Sequence, residues 1–114
     1  PYFEGKNDGT NTITGKIMIG EGTIIKNHSL LEGPIIIGKN CIIDGASIGP
    51  HTSIGDNSTL SNCTLQDSII MSECKIEGKL KIKNSIISYN SSIQSNPTNT
   101  EKTFLLGEGT KIIL

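Results

Sequence analysis

The chain has 114 residues, enough for one domain, of which 34% are hydrophobic and only 4% aromatic. Ten Lys and no Arg stand against eleven acidic residues, for a formal net charge of −1. A near-neutral surface without guanidinium forks or stacking rings argues against nucleic-acid binding, and no stretch reads as a membrane span or a signal peptide.

Residues 1–11 open on Pro1-Tyr2-Phe3-Glu4 with no initiator Met, run through Gly5-Lys6-Asn7-Asp8-Gly9, and lack any repeat. They read as a linker from a missing N-terminal region. From residue 12 to 93 an apolar side chain returns every six residues: Ile13, Ile19, Ile25, Leu31, Ile37 and Ile43, then Ile48, Ile54 and Leu60, then Leu65, Ile70, Ile76, Ile82, Ile87 and Ile93. A step of six fits no α-helix, whose buried face recurs at three and four. It fits a short strand followed by a tight corner, repeated as an all-β solenoid. The fourth residue of each unit is Gly22, His28, Asn40, His51, Asn57, Asn90 or Gly109, types that enter the left-handed backbone region at least steric cost. The fifth is small, as at Thr23, Ser29, Cys41, Ser47, Thr52, Ser58, Cys74, Ser91 and Thr110.

Three such sides make a coil of about eighteen residues, placing position 13 below 31, then 48, 65 and 82, with parallel strands about 4.8 Å apart. About five triangular coils fit in the chain. Steps of five, as from Ile43 to Ile48, Leu60 to Leu65 and Leu65 to Ile70, mean that a corner loses a residue. The unit at 76–81 departs from the pattern, with Leu80 in the small slot. Residues 94–103 read as a surface loop, and 104–114 as a terminal partial coil or cap over an open sheet edge. Ile17, Ile24, Ile36, Ile42, Ile69, Ile86 and Ile113 neighbour inward residues and are expected to point outward, where an apolar face needs covering.

Few residues offer chemistry. Cys41 and Cys74 occupy the small inward slot, while Cys63 is off by one, and the three spacings match no zinc signature. Reduced thiols favour a cytoplasmic location. His28 and His51, the only imidazoles, fit the left-handed corner slot, and their spacing sets them on different faces. Asp44, Asp56 and Asp67 fall near corners, where short carboxylates satisfy backbone N–H groups. Gly20-Glu21-Gly22 and Gly107-Glu108-Gly109 lack the ending of a phosphate loop. The reading assigns no catalytic, cofactor-binding or metal residue in this chain.

The units Ile19-Gly-Glu-Gly-Thr-Ile24, Ile37-Gly-Lys-Asn-Cys-Ile42 and Ile54-Gly-Asp-Asn-Ser-Thr59 resemble the hexapeptide repeat of left-handed parallel β-helix proteins. That resemblance implies the left hand and trimers with roughly parallel axes. The segment from Leu31-Glu-Gly-Pro-Ile-Ile-Ile37 to Ile48-Gly-Pro-His-Thr-Ser-Ile54, followed by Gln66-Asp-Ser-Ile-Ile70 and Lys83-Asn-Ser-Ile-Ile87, resembles the C-terminal domain of long-type glucose-1-phosphate thymidylyltransferases. The resemblance implies a parent sugar-1-phosphate nucleotidylyltransferase using Mg²⁺ in an N-terminal catalytic domain. None of that domain's motifs occurs here.

The sequence therefore reads as an oligomerisation module of nucleotide-sugar biosynthesis. The alternative is a trimeric hexapeptide acyltransferase using acetyl-CoA, with His28 or His51 as base. Relatives of that kind place a Tyr three residues after the His, where this chain has Leu31 and Ile54.

Overall fold

The computed structural model describes residues 2–95, 100–102, 105–106, 108–109 and 111–113. Among them the regular elements are strands of two to four residues, gathered into parallel sheets of seven, seven and six strands. Consecutive strands never pair with each other. Each pairs with the strand three further along, one coil away, so three sheets wrap a triangular β-solenoid.

The register follows the apolar series. In sheet A, Phe3, Ile19, Ile37, Ile54, Ile70, Ile87 and Leu106 lie opposite one another in turn. Sheet B aligns Asn7, Ile25, Ile43, Leu60, Ile76, Ile93 and Ile112. Sheet C aligns Ile13, Leu31, Ile48, Leu65 and Ile82, as the spacing predicts, and closes on Lys102. The inward Ile and Leu of these columns from Ile19 to Ile93 are all buried. Each such side chain contributes roughly 1.5–3 kcal/mol on leaving water.

The corners explain the steps. From Ile19 onward each corner from sheet A to sheet B spans six residues, and the fourth takes positive φ: Gly22, Asn40, Asn57, Glu73, Asn90 and Gly109. The five-residue corners drop one residue ahead of that position, so Gly45, Asn62, Asp67 and Asn84 take positive φ instead. Up to Asn90 the residue after each of these points into the prism and is small, which lets the corner close. The buried set comprises Thr23, Ser29, Cys41, Ala46, Thr52, Ser58, Cys63, Ser68, Cys74, Ser85 and Ser91. Their polar atoms bond from coil to coil. Thr23 Oγ1 donates to the Gly38 carbonyl (2.7 Å) and accepts from the Cys41 N–H (3.0 Å), and Ser58 Oγ donates to the Met71 carbonyl (3.2 Å) and accepts from the Cys74 N–H (3.1 Å).

Several expectations change. Residues 1–11 are not a bare linker: Tyr2–Phe3 pairs with Ile17–Ile19, and Lys6–Asn7 with Ile24–Lys26, as a first coil. Asp8 fastens that coil. It accepts from the Thr10 hydroxyl (2.6 Å), the Thr10 N–H (2.9 Å) and the Asn27 N–H (3.0 Å), bonds that hold its carboxyl down at about 2. Of the expected loop 94–103, Gln94 ends the strand Ser92–Gln94 and Thr100–Lys102 pairs with Leu80–Lys83. Residues 96–99 and 103 of that loop lie outside the described residues, as do Phe104 and Thr110. Ser47 is half-buried on a strand, and Ala46 takes its small slot. Ile17 points inward and leaves Met18 outside.

Candidate functional site

With the interior filled by side chains, the outer faces and corners are the surfaces available for binding. The outward column of sheet A is Met18, Ile36, Ser53, Ile69 and Ile86, in register across successive coils. Ile36 is 56% exposed, Met18 49%, Ile69 48% and Ile86 45%, and Met71 and Tyr89 stand exposed toward the sheet A to sheet B corner. Pleating forces this: once Ile35 and Ile37 point in, Ile36 must point out. Sheet B carries a shorter apolar run, Ile24 and Ile42, before Thr59 and Lys75 follow in register. Sheet C presents Thr12, Leu30, Ser47, Thr64 and Lys81. The outward positions expected at Ile24, Ile36, Ile42, Ile69 and Ile86 are found; the side chain of Ile113 lies outside the description.

Ser53 interrupts the sheet A column and leaves a dent. An open groove of about 440 Å³ lies there, floored by Met18, Ile36, Ser53 and Ile69, with Lys16, Pro34 and His51 at its rim. His51 holds φ at 59°, and its N–H donates to the Pro34 carbonyl at 2.8 Å. The left-handed corner role read from the sequence is thus what its backbone does. His28 holds φ at 60°, with its N–H on Thr10 Oγ1 at 2.9 Å. It belongs to a sheet B to sheet C corner, His51 to a sheet C to sheet A corner. Both imidazoles are exposed, and the fold does not bring them together.

The remaining candidates are occupied structurally. Cys41 Sγ lies 3.2 Å from the Gly55 carbonyl and Cys74 Sγ 3.1 Å from the Ser88 carbonyl. Cys63, off by one in a six-residue count, fills the small slot of a five-residue corner. Burial raises all three thiols, Cys63 to about 12, which keeps them protonated. All three are free. Asp56 Oδ1 accepts from the Lys39 N–H at 2.8 Å, whereas Asp44 Oδ1 takes the Asn27 side-chain amide at 2.6 Å and Asp67 Oδ2 that of Gln66 at 3.2 Å. Among the described residues no three His, Cys, Asp or Glu side chains are grouped closely enough to hold a metal ion. No helix among them is long and apolar enough to cross a membrane.

The groove beside Ser53 is what reading the sequence missed. The six-step count did show one outward sheet A position held by Ser between outward Ile36 and Ile69, but the dent itself depends on their register.

Similarity to known proteins agrees with this architecture. The chain is 34% identical over 113 residues to a glucose-1-phosphate thymidylyltransferase of Streptomyces antibioticus, spanning 98% of this chain and 32% of that protein. It is 25% identical over 97 residues to the Streptomyces griseus protein of the same name, covering 85% of this chain and 27% of the relative. The chain thus spans about a third of the length of the curated relatives it matches. Among solved structures, a hexapeptide transferase family protein from Anaplasma phagocytophilum shares the fold, with a TM-score of 0.51 at 19% identity over 96% of this chain and 69% of that one. The family model described as the GMPPB C-terminal domain matches residues 31–113, and the chain belongs to that family.

Proposed function

We propose that this chain is the assembly domain of a sugar-1-phosphate nucleotidylyltransferase of the glucose-1-phosphate thymidylyltransferase kind, acting in nucleotide-sugar biosynthesis. The observation that carries the reading is the exposed apolar column Met18, Ile36, Ile69 and Ile86 on one face of a solenoid similar to the C-terminal part of such enzymes. In this reading a cytoplasmic parent protein joins a nucleoside triphosphate to a sugar 1-phosphate in an N-terminal domain, and the solenoid holds its copies together as a trimer. The Mg²⁺ of that reaction belongs to the catalytic domain; the described residues here offer no group of ligands for it. The test is the mass of the purified chain by sedimentation equilibrium, together with thymidylyltransferase assays. A trimer without pyrophosphate release is expected, and a monomer at tens of micromolar overturns the reading.

One observation favours a second reading, an acetyl-CoA-dependent acyltransferase: His51 and Lys16 stand at the rim of the sheet A groove. Titration with acetyl-CoA separates the two. Saturable heat at one site per chain, lost in His51→Ala, would establish the acyltransferase. A folded oligomer giving no heat leaves the assembly reading.

A further inference from the structure

Sheet C is the polar face of the solenoid, and two adjoining hollows lie on it. One, of about 210 Å³, has Glu32, Ser47, Gly49 and Gln66 in its lining; the other, of about 220 Å³, has Asn62, Lys79 and Lys81, and Thr64 belongs to both. Gly49 keeps the first hollow open, since even a Cβ there would come within 3.1 Å of the Gln66 Cβ. The second lies at an irregular corner. The steps from Ile43 to Ile48 and from Leu60 to Leu65 are five residues, but the step from Ile76 to Ile82 is six, and the added residue is Lys79. Leu80 is buried in the inward slot and its N–H donates to the Gly78 carbonyl at 2.8 Å, a tight turn with exposed Lys79 at its apex. Among the described side chains neither Lys79 nor Lys81 has an ion-pair partner, whereas Lys75 lies 3.9 Å from Glu77. The register position beyond Lys81 is Glu101, one acid against two ammonium groups.

We propose that the outer face of sheet C binds a sugar phosphate, with the phosphate at Lys79 and Lys81 and the sugar over Thr64, Ser47, Gln66 and Glu32. Two ammonium groups supply charge-assisted bonds to phosphoryl oxygens. The Ser47 and Thr64 hydroxyls both donate and accept, and the Glu32 carboxylate accepts. Gln66, whose Nε2 donates to Asp67 Oδ2 at 3.2 Å, keeps its carbonyl oxygen as an acceptor. Donors and acceptors in that mixture suit a row of hydroxyls, and Leu30 offers an apolar contact to the C–H side of a sugar ring. Lys81 and Ser47 stand two strands apart in register, about 9.6 Å at a strand spacing near 4.8 Å, the span of a phosphorylated hexose. Among the described residues no aromatic side chain lines either hollow, so nothing there stacks a nucleobase. The inference stands apart from the assembly and acetyl-CoA readings, whose residues lie on sheet A and its edge.

Calorimetric titration of the whole chain at low ionic strength tests the assignment, with glucose 1-phosphate as the probe and glucose and inorganic phosphate as its two halves. Three variants, their folding checked by far-ultraviolet circular dichroism, locate the site. The expected result is saturable heat at one site per chain from glucose 1-phosphate, with each half roughly tenfold weaker or more. Lys79→Gln/Lys81→Gln should raise the dissociation constant roughly tenfold, and Thr64→Val, which removes one hydroxyl at nearly constant shape, about three- to tenfold. Lys39→Gln removes an exposed ammonium group from a sheet A to sheet B corner and should leave the constant unchanged. Absence of heat overturns the site. Inorganic phosphate binding as tightly as glucose 1-phosphate overturns the sugar assignment, and equal losses in Lys39→Gln and the sheet C variants overturn the location. None of these results bears on whether the chain assembles.

Discussion

Burial pushes the Cys63 thiol up to about 12, and this has a measurable sign. In the unfolded chain the thiol ionises near its ordinary value of about 8.5. Its raised folded value therefore leaves stability intact below that pH and erodes it as the pH climbs toward the folded value. The slope approaches 1.4 kcal/mol per pH unit for one group. Urea melts of wild type and Cys63→Ala at pH 8 and pH 10 should show a smaller loss in the variant. A disulfide-exchange reagent at pH 8 should find almost no reactive thiol in the native chain and three in denaturant. Much of this scale was legible. Residue type alone marks Gly22, Asn40, Asn57 and Asn90 as left-handed, because few side chains tolerate that conformation. Glu73, at φ 64°, was not legible, since nothing in a Glu side chain favours it. Cys63 falls off by one, and Ser47 stands in for Ala46 in the small slot, for a different reason: a five-residue corner shifts the count by one, and that shift shows only once the strands are paired.

Corners set the energetics at the element scale. Glu73 takes the left-handed position of a sheet A to sheet B corner that Asn fills one coil away on either side, and gains only an exposed bond from the Asn57 side-chain amide at 2.8 Å. Glu73→Asn should stabilise the chain by about 0.5–1 kcal/mol, a few degrees in Tm by calorimetry. An unchanged or lowered Tm would mean that the Asn57 bond outweighs the backbone preference. Gly55 is restricted by space instead: a Cβ there would meet the Ser72 nitrogen at 2.5 Å in the next coil. Gly55→Ala should therefore cost about 1–3 kcal/mol, as overpacking does. Strands of three apolar residues hid their own facing. Ile17-Met18-Ile19 permits either alternation, and only pairing with Ile35–Ile37 decides that Met18 points out. Residues 1–11 hid their strands because Lys6–Asn7 joins sheet B with no apolar anchor of its own.

At the scale of the whole molecule, each strand is bonded to the strands one coil away, mostly 17 or 18 residues off. Such a chain has no centre on which everything else depends; it has a pitch. Length is consequently an adjustable quantity, as in a ladder that can lose a rung. Ile48 and Leu65 are equivalent positions on successive coils. Excising residues 49–65 joins Ile48 to Gln66 and should give a shorter solenoid that still melts cooperatively, whereas excising 49–63 breaks the pitch and should not. Circular dichroism melts of the two deletions distinguish these outcomes. The in-pitch deletion also removes Ser53 and sets Ile36 directly against Ile69. The dent beside Ser53 would then close, leaving one unbroken outward apolar column on sheet A.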